Sequence, residues 1–296
     1  MKTKQNKTET HFKPMLAHKW DSSKIDFGGT NYIQSKLDGV RAIMRHDGVW
    51  SRNGKKFYQT DHLYTKKIKE LFKENPWLVL DGELYTHDLK DDFPKLVGIV
   101  KRKEKTSENA RMARQIQFWV YDFVMCNPRT YKIDKIEADM NRYSARYKSL
   151  SKLPIFGKYI KLCPTYNLVS ESMLKIHHEK LLKDGFEGSI VRTDSGYKQG
   201  RSWGLMKVKN FSDTEATIIN WVEGKGKRQN TIGKFVGRDD EGNIFGIPLM
   251  GKQEKLLRDF EEMKTWVGKV CTFTYFERTP AGSYRHPLFK TLRTYE

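Results

Sequence analysis

The stretch QSKLDGVRAIM, residues 34–44, places Lys36 and Asp38 two positions apart, just before Gly39. Residues i and i+2 of a strand share a face, so both side chains are expected to point the same way, with Arg41 returning after the turn. A lysine becomes a covalent nucleophile when burial or nearby cations favour its neutral amine. This stretch alone fits both a chemical site and a surface hairpin with an exposed ion pair.

Two further segments carry carboxylates. In VLDGELY, residues 79–85, Asp81 and Glu83 share one face of an otherwise apolar strand, and in DGFEGSIVR, residues 184–192, Glu187 precedes a glycine that permits close approach of a ligand. Carboxylates inside a sheet are costly unless they meet a cation, and hard oxygen ligands suit Mg²⁺. Glu83 and Glu187 are therefore candidate metal ligands, with an exposed edge strand as the alternative for the first segment.

Cations and an aromatic ring recur on other segments. Lys207 and Lys209 in LMKVKN share a strand face, where two ammonium groups repel unless an anion such as a phosphate chain lies between them. SRNGKKF carries Arg52 on a turn, and FWVYDFV carries Tyr121, whose ring suits stacking on a base or packing in a core. Because the sequence has no G-x-x-x-x-G-K-[ST] loop, side chains and metal ions must hold any phosphates.

Short β-rich runs and helical stretches must position these residues. The runs that predict strands are residues 32–37, 40–47, 77–85, 116–125, 186–192 and 204–210. Apolar spacing predicts helices over 61–75 and 170–185, the second with a serine cap and a glycine stop. The fold class expected for this part is α+β, with antiparallel sheets and helices.

After about residue 212 the pattern changes. Runs 215–224, 231–239, 244–250 and 269–277 predict short strands between glycine-rich turns. An amphipathic helix over 252–266 is expected to place four apolar residues, Leu256, Leu257, Phe260 and Met263, on one face. Several short strands and one helix are typical of a small OB-fold barrel. The expected domains are therefore 1–212 and 213–296.

Charge and composition narrow the range of possible functions. A net charge of +19 favours a polyanionic partner, nucleic acid first and an anionic membrane surface second. The sequence has no apolar run long enough to cross a membrane and no secretory signal at its start, and its three cysteines have no zinc or disulfide spacing. We expect an intracellular, soluble protein with no membrane partner.

Taken in order, these segments resemble the motifs of the covalent nucleotidyltransferases and, within them, the ATP-dependent DNA ligases. SKLDGVR resembles motif I, SRNGK motif Ia, LDGELY motif III, FWVYDFV motif IIIa, DGFEGSIVR motif IV and LMKVKN motif V, and KPMLA resembles the segment ahead of the nucleotide site. The resemblance covers almost the whole chain. It implies an adenylation (nucleotidyltransferase) domain followed by an OB-fold domain.

The resemblance also implies residue roles. Lys36 would attack the α-phosphorus of ATP and become AMP-lysine. Gln34 would contact adenine, Tyr121 would stack on it, and Ser35 lies between Gln34 and Lys36 in the nucleotide-binding set. Arg41 and Arg52 would contact the nucleotide and the nick phosphate. Glu83 would contact the ribose and a metal ion, and Glu187 a metal ion. Lys207 and Lys209 would contact phosphate. The implied cofactors are ATP and Mg²⁺ or Mn²⁺, and the implied partner of this monomer is nicked double-stranded DNA.

Two features depart from many ligases. The chain ends Arg293-Thr294-Tyr295-Glu296 where the family pattern is Arg-x-Asp-Lys, so Arg285 or Lys290 would have to supply the missing cation. The chain resembles minimal two-domain ligases, whose grip on DNA would depend on basic runs and be sensitive to salt. The candidate DNA contacts, with solvated loops as the alternative, are Arg52, Lys101, Arg102, Lys103, Lys198, Arg201, Lys225, Lys227 and Arg228.

Other functions fit parts of the pattern. RNA ligases and mRNA-capping guanylyltransferases share the lysine motif and the metal chemistry. A nucleic-acid-binding protein without catalysis would share the basic surface, but it would need no buried carboxylates. The KPMLA segment and EGSIVR favour the DNA ligase.

Overall fold

Runs rich in β-branched and aromatic residues form the strands of the first part of the chain. The computed structural model describes residues 11–127, 129–133, 141–209, 212–249, 251, 253–275, 277–278 and 282–293, and the chain divides after Val208 into two units. The strands of the first unit are β1 (Met15–Lys19), β2 (Asn31–Lys36), β3 (Val40–Arg45), β4 (Gly48–Ser51), β5 (Lys56–Phe57), β6 (Leu78–Tyr85), β7 (Gln117–Met125), β8 (Ile160–Leu162), β9 (Thr165–Asn167), β10 (Gly188–Thr193) and β11 (Gly200–Val208).

These strands form two sheets. The first has the order β1-β11-β10-β2-β9 and the second β5-β4-β3-β6-β7-β8. Neighbouring strands are antiparallel except for β1 with β11 and β7 with β8, which are parallel. The strands expected around motifs I, III, IIIa, IV and V are confirmed as β2, β3, β6, β7, β10 and β11. Asn210, included in the last of these expectations, lies outside the described residues.

The helices of the first unit lie between these strands. They are α1 (Lys66–Glu74), α2 (Phe93–Val100), α3 (Ser107–Ala113), α4 (Tyr143–Ser151) and α5 (Glu171–Lys183). Thr65 and Ser170 accept hydrogen bonds from the backbone N–H groups of Ile68 and Met173 and so start α1 and α5. The helix expected over 61–75 therefore begins at Lys66, after a separate 3₁₀ turn at Asp61–Leu63.

Apolar side chains from both sheets fix where the candidate site lies. On the second sheet, Leu80, Leu84 and Phe118 belong to a large buried cluster that includes residues of α2. A smaller buried cluster brings Ile43 of β3 and Val79 of β6 together with Met15 and Leu205 of the first sheet. Because this smaller cluster joins the two sheets, charged residues on their facing sides are held near one another.

The second unit is built around one sheet. Its strands are β12 (Ser212–Glu223), β13 (Ile232–Arg238), β14 (Ile244–Pro248), β15 (Val270–Tyr275), β16 (Glu277–Arg278), β17 (Tyr284–Arg285) and β18 (Leu288–Leu292), and its helices are α6 (Gln253–Arg258) and α7 (Phe260–Lys264). The five-stranded order is β14-β13-β12-β15-β18, and β16 pairs with β17. The pairings within the described ranges leave this sheet open. The whole chain is therefore mixed α+β.

The helix expected over 252–266 is divided at Asp259. Adjacent residues on a helix point about 100° apart, so Leu256 and Leu257 point in different directions. Leu256 is 5% exposed and Leu257 42%, which corrects the prediction that both lie on the buried face. Three residues included in the expected elements of this unit, Met250, Lys252 and Phe276, lie outside the described part of the chain. Among the helices that are described, none is long and apolar enough to span a membrane.

Candidate active site

Strand pairing brings Lys36 to a carboxylate 151 residues away. Lys36 is the last residue of β2 and lies opposite Gly188 of β10, so the preceding residue, Glu187, reaches the lysine. Nζ of Lys36 donates a hydrogen bond to Oε2 of Glu187, and the two side chains are only 17% and 4% exposed. Lys36 is therefore part of a shielded ion pair, and the solvated-hairpin interpretation is wrong.

Two glycines let the backbones around this pair approach closely. A Cβ on Gly188, whose φ is +145°, would lie 2.4 Å from the carbonyl oxygen of Val208 in β11. A Cβ on Gly39 would lie 2.5 Å from the carbonyl oxygen of Leu84 in β6. Gly39 does not have a positive φ. The β2–β3 connection thus needs glycine for packing against β6 rather than for the turn conformation that we expected.

Arg41 is fixed by a buried carboxylate. Its Nε and Nη2 donate to Oδ1 and Oδ2 of Asp81 at 2.7 and 2.5 Å, and the hydroxyl of Tyr197 donates to the same Asp81 at 2.5 Å. Burial alone would lower the pKa of Arg41, but Asp81 and Tyr121 raise it, and the resulting pKa lies well above its ordinary value. The guanidinium lies 4.9 Å from the ring centre of Tyr121. Arg41 is thus a permanently charged wall of the site.

Glu83 lies opposite Arg41 in the β3–β6 ladder. The hydroxyl of Tyr121 donates to Oε2 of Glu83 at 3.3 Å and to the carbonyl oxygen of Gly82 at 3.2 Å. Burial raises the pKa of Glu83 to about 7, although Arg41, Lys36 and the Tyr121 hydroxyl act in the opposite direction. At neutral pH Glu83 therefore lies near the midpoint between its protonated and ionised forms.

Lys207 lies among other cations. It pairs with Ile190 of β10 and Lys19 of β1 across the first sheet. Partial burial lowers the pKa of Lys207, and neighbouring positive charges lower it further. These charges belong to Lys36, Arg201, Lys19 and Arg52. Such a concentration of positive charge suits a polyphosphate.

A second buried ion cluster lies beside the site. Asp122, which is 1% exposed, accepts from Nε of Arg146 at 2.8 Å and from Nη1 of Arg192 at 2.8 Å. Nε of Arg192 donates in turn to Oε1 of Gln34 at 2.7 Å. The side chain of Gln34 is thereby connected to a fixed network of charges.

A cavity of about 250 Å³ collects most of the predicted nucleotide-binding residues. Its lining includes Gln34, Ser35, Lys36, Arg41, Arg52, Glu83, Tyr121 and Lys207, together with Arg192, Arg201 and apolar residues of β1, β10 and β11. Within this lining, Oγ of Ser35 lies 3.7 Å from Sγ of Cys163. Glu187 is outside the lining but contacts Lys36 directly.

Other predicted site residues lie elsewhere. Lys209 follows the end of β11, begins the second unit and is not part of the cavity lining. Lys101, Arg102 and Lys103 are exposed between α2 and α3, and Lys198 is exposed before β11. In the second unit Lys225 is exposed, and Nη1 of Arg228 donates to the carbonyl oxygen of Leu249 at 2.9 Å. The side chain of Lys227 is not among those that the structure describes.

The terminal basic residues lie in the second unit. Arg293 forms an ion pair with Glu215 at 2.7 Å, and Lys290 pairs with Asp213. Arg285 is partly buried in β17. Thr294, Tyr295 and Glu296 lie outside the described residues.

Sequence reasoning missed several residues of the site. Asp81, Asp122, Arg146 and Arg192 received no role, although all four support cavity residues. A signal was present, because a lone arginine or aspartate on an otherwise apolar strand needs an opposite charge to be buried. Asp122 in FWVYDFV and Arg192 in EGSIVR are such residues, and pairing them would have joined β7 to β10.

Comparison with known proteins agrees with this arrangement. The model of the family described as "ATP dependent DNA ligase domain" matches residues 14–209. A DNA ligase of Enterobacteria phage T3 is 31% identical, with 91% of each chain covered. A DNA ligase of African swine fever virus (isolate Tick/South Africa/Pretoriuskop Pr4/1996) is 25% identical over 65% of this chain, and the match spans only 45% of that ligase.

Solved structures share the fold. A structure from an analysis of Lig E DNA ligases, described as binding DNA with a minimal scaffold, has a TM-score of 0.74 at 22% identity, covering 95% of this chain and 99% of that one. The ATP-dependent DNA ligase of bacteriophage T7 in complex with ATP has a TM-score of 0.55 at 20% identity, covering 95% and 98%. Since the family model covers well over half of the sequence, this chain belongs to the ATP-dependent DNA ligase domain family.

Proposed function

We propose that this chain is an ATP-dependent DNA ligase that joins a 5′-phosphate to a 3′-hydroxyl at nicks in duplex DNA. The observation that carries the proposal is the position of Lys36. It lines a cavity of about 250 Å³ together with Arg41, Arg52, Glu83 and Lys207, inside the region that matches the ligase domain. A lysine among phosphate-binding cations is suited to attack a nucleotide phosphorus.

In the first step, neutral Nζ of Lys36 forms a bond to the α-phosphorus of ATP. The bond from that phosphorus to the bridging oxygen of the β-phosphate breaks, and pyrophosphate leaves. Because Lys36 is held in an ion pair with Glu187, it must lose a proton before it attacks, and Oε2 of Glu187, which it contacts, would accept that proton. Arg41, Arg52 and Lys207, which line the same cavity, would neutralise charge on the phosphates during this transfer.

The remaining nucleotide contacts follow from the cavity lining. Gln34 and Tyr121 would hold the adenine base, and Ser35 completes the lining between Gln34 and Lys36. Lys209, just beyond β11, would contact phosphate with Lys207 when substrate is bound.

Two carboxylates fit a divalent metal ion. The described residues contain no group of three or more histidine, cysteine, aspartate or glutamate side chains suited to a metal. Mg²⁺, however, is commonly bound by one or two carboxylates with phosphate oxygens and water completing its shell. Glu83 and Glu187 would hold Mg²⁺ or Mn²⁺ in this way. The ion would supply positive charge that stabilises the phosphates during transfer.

The later steps act on DNA. AMP passes from Lys36 to the 5′-phosphate at the nick, and attack by the 3′-hydroxyl on that phosphate forms the phosphodiester and releases AMP. We propose that the first unit is an adenylation domain and the second an OB-fold domain, acting as a monomer in DNA repair, replication or recombination. The exposed cations Arg52, Lys101–Lys103, Lys198, Arg201 and Lys225, the partly exposed Arg228, and Lys227 would contact DNA phosphates.

A nick-sealing assay tests the proposal. The full chain is incubated with Mg²⁺, ATP and a nicked duplex whose 5′-phosphate is labelled, and the product is measured on a denaturing gel. Sealing is expected from the wild type and from Lys66→Ala, which removes a lysine whose side chain is 89% exposed, but not from Lys36→Ala. Sealing by Lys36→Ala would refute the role of this lysine. Sealing of nicked RNA alone would favour an RNA ligase. Labelling of the protein by GTP alone, labelled at the α-phosphate, would favour a capping enzyme instead.

A further inference from the structure

The side chain of Gln34 has a fixed polarity. Its amide nitrogen donates both of its hydrogens, to the hydroxyl of Tyr143 at 2.8 Å and to Oγ1 of Thr165 at 2.7 Å. Its amide oxygen accepts from Nε of Arg192 at 2.7 Å. Arginine has no acceptor atom, so the atom that faces Arg192 must be the oxygen.

The other end of this network is fixed as well. The Tyr143 hydroxyl donates to the carbonyl oxygen of Tyr121 at 3.2 Å, and the Thr165 hydroxyl donates to the carbonyl oxygen of Cys163 at 3.3 Å. Carbonyl oxygens only accept. If the amide of Gln34 were turned over, its nitrogen would face a guanidinium. The two hydroxyls would then have to abandon their carbonyl partners.

Arg192 itself has little freedom to move. Its Nη1 donates to Asp122 at 2.8 Å, and Asp122 is also held by Arg146. All four side chains of this chain of contacts, from Arg146 to Gln34, are 3% exposed or less. Because buried ion pairs are disrupted only at high cost, the guanidinium stays pointed at the Gln34 oxygen.

We propose that Arg192 is a positioning residue that fixes the orientation of the Gln34 amide, so that this side chain presents only a hydrogen-bond acceptor to the base. With both amide hydrogens occupied, the Gln34 side chain has only the second lone pair of its oxygen left for a ligand. That lone pair can accept from an exocyclic amine but repels a carbonyl oxygen. The site therefore selects a 6-aminopurine nucleotide and rejects a 6-ketopurine. This inference rests on the proposed nucleotidyl transfer to Lys36, which lies two positions from Gln34 on β2.

Three nucleotides labelled at the α-phosphate test the inference: ATP, purine riboside triphosphate, which has hydrogen at position 6, and ITP, which has a carbonyl there. The rate of labelling of the full chain is measured at low nucleotide concentration. Loss of one hydrogen bond should slow labelling by purine riboside triphosphate about tenfold relative to ATP. Two opposed acceptors should slow labelling by ITP about a hundredfold. A freely turning amide would give the reverse order, with ITP faster than purine riboside triphosphate, and would overturn the proposal.

The role of Arg192 is tested by making Arg192→Lys in two proteins, the wild type and Gln34→Glu. Arg192→Lys keeps a positive charge beside Asp122 but loses the second guanidinium nitrogen that reaches Gln34. The rate of labelling by ITP should therefore rise at least tenfold relative to the rate with ATP. In Gln34→Glu the carboxylate has no polarity to fix, so adding Arg192→Lys there should leave the ITP-to-ATP ratio unchanged. An equal change of the ratio in both backgrounds, or no change in either, would contradict the role of Arg192.

The inference can be tested even if the variants do not fold. If circular dichroism shows that Arg192→Lys is unfolded, the order of the three nucleotides on the wild type decides the matter alone. Labelling by all three at similar rates would overturn the inference while leaving nucleotidyl transfer intact. No labelling by any of them would refute the proposed function itself.

Discussion

Replacing Asp81 with asparagine removes the charge that holds Arg41 while keeping the shape of the side chain. Asp81 is fully buried and accepts from Arg41 at 2.7 and 2.5 Å and from Tyr197 at 2.5 Å. In Asp81→Asn the amide NH₂ would face a nitrogen of the Arg41 guanidinium in either orientation, and Arg41 would be left without its counter-charge. The first unit should therefore lose stability and the cavity should lose a fixed wall.

The size of the effect follows from burial. Breaking a buried ion pair by removing one partner costs about 3–5 kcal/mol. The Arg41 side chain is 19% exposed and gains some solvation, which favours the lower end, about 3 kcal/mol. Asp61→Asn is the matched control, because Asp61 pairs with Lys105 at 2.9 Å but the two side chains are 82% and 58% exposed. An exposed pair contributes less than about 1 kcal/mol.

Hydrogen exchange measured by mass spectrometry reports the stability of the first unit separately from that of the second. A loss of about 3 kcal/mol should speed exchange of the slowest amides of β3 and β6 about a hundredfold in Asp81→Asn, since each 1.4 kcal/mol is about tenfold. Asp61→Asn should change these amides less than about fivefold. Equal protection in the two variants would refute the reasoning that Asp81 and Arg41 form a structural support of the cavity.

Three other predictions address metal, packing and DNA. Metal-dependent labelling should rise with pH around 7, because Glu83 with a pKa of about 7 is protonated and unable to bind a cation below that pH; Glu83→Gln should lose this dependence. Gly39→Ala should destabilise the chain by about 1–3 kcal/mol in urea unfolding, because the new methyl group lies 2.5 Å from the Leu84 carbonyl oxygen. Gly98→Ala, in a helix with open space around it, should not destabilise. For DNA, Lys103→Ala should reduce the slope of log affinity for nicked duplex against log salt by about 1, and an unchanged slope would remove Lys103 from the contact surface.

Periodicity predicted the strands that carry the site because each strand is buried on at least one face. β2, β6, β7 and β10 lie where alternating or apolar runs placed them. Gln34 and Lys36, two positions apart on β2, both line the cavity. These features depend on residues close in sequence.

Contacts between distant segments could not be predicted in the same way. The contact of Glu187 with Lys36 depends on the register between β10 and β2, which local sequence does not specify. The burial of Asp122 beside two arginines depends on which strands and helices become neighbours. The burial of Leu256 and the exposure of Leu257 likewise depend on the packed core.

The central claim is that Lys36 becomes covalently adenylylated. The full chain is incubated with ATP and Mg²⁺, digested, and mapped by mass spectrometry, with Lys66→Ala as a control that keeps Lys36. The account predicts one added AMP on the peptide containing Lys36, one pyrophosphate released for each AMP bound, and no adduct in Lys36→Ala. AMP on another lysine, or an adduct that persists in Lys36→Ala, would contradict it.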